Sequence, residues 1–205
     1  ATGWFAEAEI SYAGPRAAER MTEVDAQYRR ATMGVLRVSF LSSLVLELLG
    51  DQTHVQIVTS NGLDVTRTLP VDGTFTPIQR KAYEAVREAA DAGFAIVKPG
   101  ITFRDVHNTA MSVIAKKTAE WGLIPVTAEE ALLPENGHHR RYMVHGTSHH
   151  LGIDVHDCSE ARREMYMDGV VKEGMIFTIE PGLYFQPDDL TVPKEYRGIG
   201  VRIED

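Results

Sequence analysis

Met143-Val-His145-Gly146-Thr-Ser-His149-His150-Leu-Gly152-Ile-Asp154-Val-His156-Asp157 is the stretch on which the reading of this chain turns. Four histidines fall within it, interleaved with two glycines. Histidine is the commonest metal ligand and the side chain that most readily exchanges a proton near neutral pH. Glycine lets the backbone approach whatever the imidazoles hold. A lone histidine is more often an ordinary surface or core residue. Four in one run, with carboxylates arriving in later apolar segments, favour a site.

Those carboxylates emerge from asking which acids stand inside or at the end of apolar, β-branched segments. They are Asp64 in Leu63-Asp-Val-Thr-Arg-Thr-Leu69, Glu180 in Phe177-Thr-Ile-Glu-Pro-Gly182, and Glu204 in Val201-Arg-Ile-Glu-Asp205. A carboxylate in such a setting is costly unless it is paired or metal-bound. One alone would read as a buried ion pair or an edge-strand position. Three, together with His149, point to a shared oxygen-rich site for one or two divalent ions. Two ions bridged by carboxylates polarise a carbonyl and generate hydroxide at neutral pH, which is equipment for cleaving an amide. The histidine spacing does not fit the helical His-Glu-x-x-His zinc pattern. His150 and Asp154 read as packing or supporting groups rather than ligands.

Around this centre the scaffold is read from local signals. Val55 to Val58 is a short strand, Asn61-Gly62 a turn, and Leu63 to Leu69 a second strand. Thr76-Pro77 gives a cap followed by proline at the first helical position. Ile78, Ala82, Ala85, Val86 and Ala89 then share one face of a helix that ends near Gly93. Thr102 with Asp105 opens a second helix carrying Val106, Ala110, Val113 and Ile114, with Gly122 as its stop and His107 on its surface. Residues 123 to 141 read as a loop. Met175 to Glu180 is a strand, and Tyr184-Phe185 begins another extended piece. Gly198 to Asp205 alternates with period two, which sets Arg202 and Glu204 on one face. Val35 to Leu49 is either a buried strand or a core helix, since a short apolar run does not decide between them.

Bulk composition narrows the class of function. At 205 residues, 43% hydrophobic and 24% charged, the chain suits one soluble globular domain. A formal net charge of −8 argues against a nucleic-acid surface, which needs a clustered excess of base. Cys158 is the only cysteine, so no intrachain disulfide forms, and it is expected to be a small buried residue. No charged-then-apolar leader is evident, and Val35 to Leu49 is too short and too interrupted to span a bilayer. The expectation is a cytoplasmic protein with no membrane or nucleic-acid partner.

These segments carry a resemblance. His145 to Asp157, Gly174-Met-Ile-Phe-Thr-Ile-Glu180-Pro-Gly182 and Gly198-Ile-Gly-Val-Arg-Ile-Glu204-Asp205 resemble the three signature segments of bacterial aminopeptidase P (Xaa-Pro aminopeptidase). Asp64-Val-Thr-Arg-Thr-Leu-Pro70 resembles the segment with that family's second aspartate ligand. The wider family includes prolidase, methionine aminopeptidase and creatinase. The resemblance covers about Val58 to Asp205 and implies an α+β pita-bread fold, catalytic domain only. It implies two divalent metal ions, Mn(II) first with Co(II) or Zn(II) as alternatives. Asp64 and Glu204 would bridge them, and His149 and Glu180 would each bind one. Glu180 would also accept a proton from the attacking water. His145 and His156 would border the proline pocket and steady the carbonyl. Arg202 would orient carboxylates or contact substrate, with a plain ion pair as the alternative. The activity implied is hydrolysis of the Xaa-Pro bond by a metal-bridging hydroxide, on peptides with proline second, by an enzyme that admits a homo-oligomer.

The front of the chain departs from that pattern. Asp51, thirteen residues before Asp64, is the candidate for the first aspartate ligand, and a turn-forming aspartate is the other reading. The family's substrate-contacting upstream histidine has no counterpart near Ala18-Glu-Arg-Met21. Residues 1–55 match the family poorly, and the expectation is a single catalytic domain over 1–205 without the family's amino-terminal domain. Two other readings stay open: prolidase, which cleaves dipeptides, and a catalytically impaired peptide-binding or scaffold domain of the same fold.

Overall fold

A computed structural model describes residues 42–49, 52–59 and 63–205, with side chains from Asp64 onward. Asp51 and the Asn61-Gly62 turn lie outside the described residues. Three strands, β1 (Ser42–Leu49), β2 (Gln52–Thr59) and β3 (Leu63–Pro70), form an antiparallel meander in which Val58 faces Asp64. The part of Val35 to Leu49 that is described is therefore strand. Two short strands, β4 (Gly182–Tyr184) and β5 (Gly200–Arg202), pair antiparallel with Leu183 opposite Val201. Just beyond β5, Glu204 pairs with Thr66 of β3 through reciprocal backbone hydrogen bonds of 3.0 and 3.2 Å. Thr68 Oγ1 accepts from the Arg202 N–H at 2.9 Å and donates to the Arg202 carbonyl at 3.0 Å. The end of the chain is thereby laid against β3.

Two long helices pack on the β4–β5 pair. Helix α1 (Pro77–Ala95) starts where expected, because Thr76 and Gln79 close a reciprocal capping box and Pro77 has no amide to leave unpaired. Helix α2 (Phe103–Glu120) starts on the same device built from Thr102 and Asp105. Ala82, Val86 and Ala89 of α1, Ala110 and Ile114 of α2, Leu183 of β4, Val201 of β5 and Ile203 share one core. Each cap contributes about 1 kcal/mol. A fully buried isoleucine such as Ile114 is worth about 2–5 kcal/mol over alanine, so packing decides where the helices lie. Gly93 has a specific role at the end of α1. A Cβ there would sit 3.3 Å from Ile179 Cγ2, so glycine lets the helix close on the residue just before Glu180.

Several expectations are corrected. Residues 123–141 are not all loop. Thr127 and Glu130 form a third capping box that opens the short helix α3 (Ala128–Leu132), and His138–Arg141 makes one 3-10 turn. Met175 to Glu180 is not a regular strand, because its pairing is divided. Thr178 and Glu180 donate to the carbonyls of His149 and Thr147, while Ile179 exchanges hydrogen bonds with Asp205. Cys158 is exposed rather than buried, at a turn with φ of 55° that keeps it out of the core. His107 is not a surface group. It is partly buried with Nδ1 3.2 Å from Thr147 Oγ1, and burial first, then nearby Arg140 and Arg104, push its pKa down to about 4. No helix among the described residues is long and apolar enough to cross a membrane.

Candidate metal centre

Three elements deliver the site. Asp64 comes from β3, Glu204 from the residue pair that follows β5 and Ile203, and His149 with Glu180 from two extended segments held side by side. The side-by-side hold is explicit. The Glu180 amide donates to the Thr147 carbonyl at 2.7 Å, the Thr178 amide to the His149 carbonyl at 2.8 Å, and the His149 amide to Thr178 Oγ1 at 3.1 Å.

His149 Nε2 then stands 3.4 Å from Glu204 Oε1, 3.6 Å from Glu180 Oε1 and 3.7 Å from Asp64 Oδ2. Asp64, His149 and Glu204 are all buried, and their candidate ligand atoms lie within 4.8 Å of one another. Among the described residues neither His149 Nε2 nor Glu204 Oε1 has a hydrogen-bond partner, although both are shielded from solvent. Polar atoms buried in that state cost free energy unless something else engages them. The donor set, one imidazole and three carboxylates, suits divalent ions such as Mn(II), which carboxylates favour, and Zn(II), which imidazole favours. The residues present therefore fit a metal site.

Electrostatics describe the same congestion of charge. Burial and then the neighbouring Glu204 carboxylate raise the Glu180 pKa to about 7. Burial also acts against ionised Glu204, but His149, Thr66 and Arg202 outweigh it and leave that carboxyl below its usual range. Burial disfavours the His149 cation, and the Glu204 and Glu180 carboxylates overcome this and raise it. Thr66 Oγ1 donates a short hydrogen bond to Glu204 Oε2, which fixes that carboxylate's other oxygen. The Arg67 guanidinium holds the Glu204 carbonyl at 2.7 Å and the Asp205 carboxylate at 2.8 Å.

The remaining candidates ring this cluster. Arg202 is half-buried, its Nε has no hydrogen-bond partner among the described residues, and its charge is felt at Glu180, Glu204 and His145. His145 Nδ1 lies 2.6 Å from the Gly146 carbonyl and Nε2 lies 2.7 Å from the Tyr184 hydroxyl. A carbonyl only accepts, so Nδ1 carries the proton, and Nε2 of the neutral ring accepts from Tyr184. Burial lowers the His145 pKa and keeps the ring in that neutral form. His156 is exposed but meets the His149 ring edge-on, with centroids 4.2 Å apart. His150 faces away into an aromatic box, stacked on Phe103 at 4.6 Å and edge-on to Tyr166. Asp154 is exposed. Sequence reasoning missed Tyr184, Thr66 and Thr147. The alternation Asp64-Val-Thr66 was the available signal for Thr66, since residues two apart share a strand face.

Comparison with known proteins places this geometry. Residues 57–205 match metallopeptidase family M24. Over 142 residues the chain is 59% identical to Xaa-Pro aminopeptidase 2 of Streptomyces coelicolor, covering 69% of this chain and 30% of that one. It is 38% identical to the Xaa-Pro aminopeptidase of Escherichia coli over 69% of this chain and 31% of that one. The solved structure of Pseudomonas aeruginosa aminopeptidase PepP superimposes with a TM-score of 0.67 at 36% identity, over 77% of this chain and 36% of that one. The chain thus spans about a third of the length of the relatives it matches. The expected pita-bread fold is borne out by that superposition, and the family is one that works with divalent metal ions. On the match over 57–205, the chain belongs to metallopeptidase family M24.

Proposed function

We propose that this chain carries the catalytic site of a metal-dependent aminopeptidase that releases the residue preceding an amino-terminal proline. The observation that carries the reading is the buried convergence of Asp64, His149 and Glu204 with Glu180 beside them. Those four residues would hold two divalent ions, Mn(II) foremost, with Asp51 as the candidate further ligand. Bound there, such ions supply Lewis acidity, polarising a peptide carbonyl and making a water nucleophilic at neutral pH.

The chain's own groups do the rest. Glu180, whose carboxylate stands beside His149 and Glu204, is placed to take the proton from the attacking water and return it to the departing proline nitrogen. Arg202 lowers the pKa of both Glu180 and Glu204 and so favours their charged forms. His145 keeps the Tyr184 hydroxyl oriented beside the cluster, and His156, on the open side of His149, borders the substrate. The named activity of the Streptomyces and Escherichia coli relatives supports the choice of Xaa-Pro bonds. Substrates would be peptides with proline second, acted on in the cytoplasm.

The test is metal analysis of the dialysed protein together with release of the first residue from an Xaa-Pro-Yaa tripeptide, with and without Mn(II). About two ions per chain and Mn(II)-dependent release are expected. Cleavage of Xaa-Pro dipeptides alone would make the protein a prolidase. No bound metal and no cleavage with any divalent ion would leave a scaffold of the same fold.

A further inference from the structure

Helix α2 touches the histidine segment at two points on either side of His149. Phe103 stacks on His150 with 16° between the rings, and one helical turn later His107 Nδ1 lies 3.2 Å from Thr147 Oγ1. Thr147 is 1% exposed, and its carbonyl is the acceptor for the Glu180 amide at 2.7 Å. One buried threonine therefore connects a helix through its hydroxyl and Glu180 through its backbone, two residues before His149. The helix end is itself anchored. Arg104 binds Asp168 at 2.5 Å, and the Phe103 and Arg104 amides donate to the carbonyls of Gly169 and Met167.

We propose that His107 is a positioning residue for the metal centre, acting through the Thr147 hydroxyl to fix the separation of His149 and Glu180. The inference rests on the metal-site reading above. Burial disfavours the charged imidazole, so at neutral pH the contact is a hydrogen bond between uncharged groups. Such a bond is directional, and its geometry is transmitted along a backbone with little freedom, because Thr147, Thr178 and His149 are all buried. Groups that orient ligands from outside the coordination sphere commonly change metal affinity by about 10–100-fold when removed. A purely packing role predicts a different pattern. It would make loss of the hydroxyl harmless if shape is kept, and loss of the methyl harmful.

The decisive experiment titrates the metal-free 205-residue chain with Mn(II) by calorimetry, alongside His107→Ala, Thr147→Val, Thr147→Ser and the double variant His107→Ala/Thr147→Val. Thermal unfolding of each metal-free protein reports its fold. Thr147→Val and His107→Ala should each weaken Mn(II) binding roughly tenfold. The double variant should be no weaker than either alone, since both remove one interaction. Thr147→Ser, which keeps the hydroxyl, should bind as the parent does. Parent-like affinity in Thr147→Val, or equal losses in Thr147→Ser and Thr147→Val, overturns the inference. If His107→Ala does not fold, the near-isosteric Thr147→Val against Thr147→Ser still decides. If the parent chain takes up no ion, the metal-site reading falls and this inference with it. Binding by the parent with unchanged variants removes this inference alone.

Discussion

The two halves of the histidine-rich stretch both carry histidine and glycine and are opposite in use. From Met143 to His150, Met143, Thr147 and His149 are buried, and the backbone is bound to Thr178 and Glu180. From Leu151 to Cys158, Ile153 is fully exposed, and Val155, His156 and Cys158 are exposed as well. Gly152 and Asp157 make turn hydrogen bonds with Asp154 and His150, and the Leu151 amide donates to the carbonyl of Ile176. Imidazole alone does not distinguish the halves, since each contains it. The difference lies in what stands opposite. The first half faces carboxylates delivered from β3, from Glu180 and from beyond β5, and burial there raises the strength of every charge interaction. The second half faces solvent.

The largest expected effect tests the first half. Glu204→Gln keeps the shape and the Thr66 contact but removes the buried charge. It should abolish tight Mn(II) uptake and lower tripeptide cleavage by about a thousandfold or more, since bound ions supply several kcal/mol of charge stabilisation. Normal metal content in this variant would erase the contrast between the halves.

A second effect is thermodynamic and has a definite sign. The folded Glu180 carboxyl titrates near 7 against an ordinary value of 4.5, so between those pH values the folded state holds a proton that the unfolded state lacks. Its contribution is full below 4.5 and is lost as pH rises through 7, by roughly 3 kcal/mol for a side chain this shielded. Urea unfolding of the metal-free protein from pH 5 to 8 should show that loss, and Glu180→Gln should flatten it. A parent curve without the loss would mean that the carboxylates are not crowded in the empty site.

Smaller effects probe the second half. His156→Ala should leave Mn(II) affinity unchanged and lower kcat/KM by about tenfold, because the ring touches His149 from the solvent side and orders substrate at most. A loss of metal with His156→Ala would move the border between the halves. Last comes Cys158→Gly, which relieves a non-glycine residue at φ of 55° and should raise the unfolding midpoint by the equivalent of up to about 1 kcal/mol, with activity untouched.

Where each part could be read from the sequence follows the range of the interaction. Both long helices were legible because a cap, a proline and an apolar stripe are all local, and Thr76 and Thr102 sit where those signals put them. Asp64, Glu180 and Glu204 stood out because a carboxylate in a β-branched run is locally anomalous. Helix α3 was missed although Thr127 and Glu130 carry a capping box, since five residues show too little periodicity among nearby proline and glycine. His107 was misplaced for a different reason. Its neighbours on the helix indicate a polar edge, and its partner Thr147 lies forty residues away. Met175 to Glu180 looked like one strand because its residues are extended, but the two partners that share its hydrogen bonds are set by the tertiary fold.

The bridge between Thr66 and Glu204 has a consequence for how the molecule is assembled. It closes a loop of 138 residues, and the ligand groups it aligns come from opposite ends of the described chain. Closing long loops comes late and is kinetically expensive, while the capped helices form from neighbours. Helical signal should therefore return first on refolding, and capacity to bind Mn(II) should return in the slowest phase. Stopped-flow circular dichroism run beside a metal-sensitive dye would separate the two. Simultaneous recovery would mean that the ends meet early, and that β3 waits for nothing.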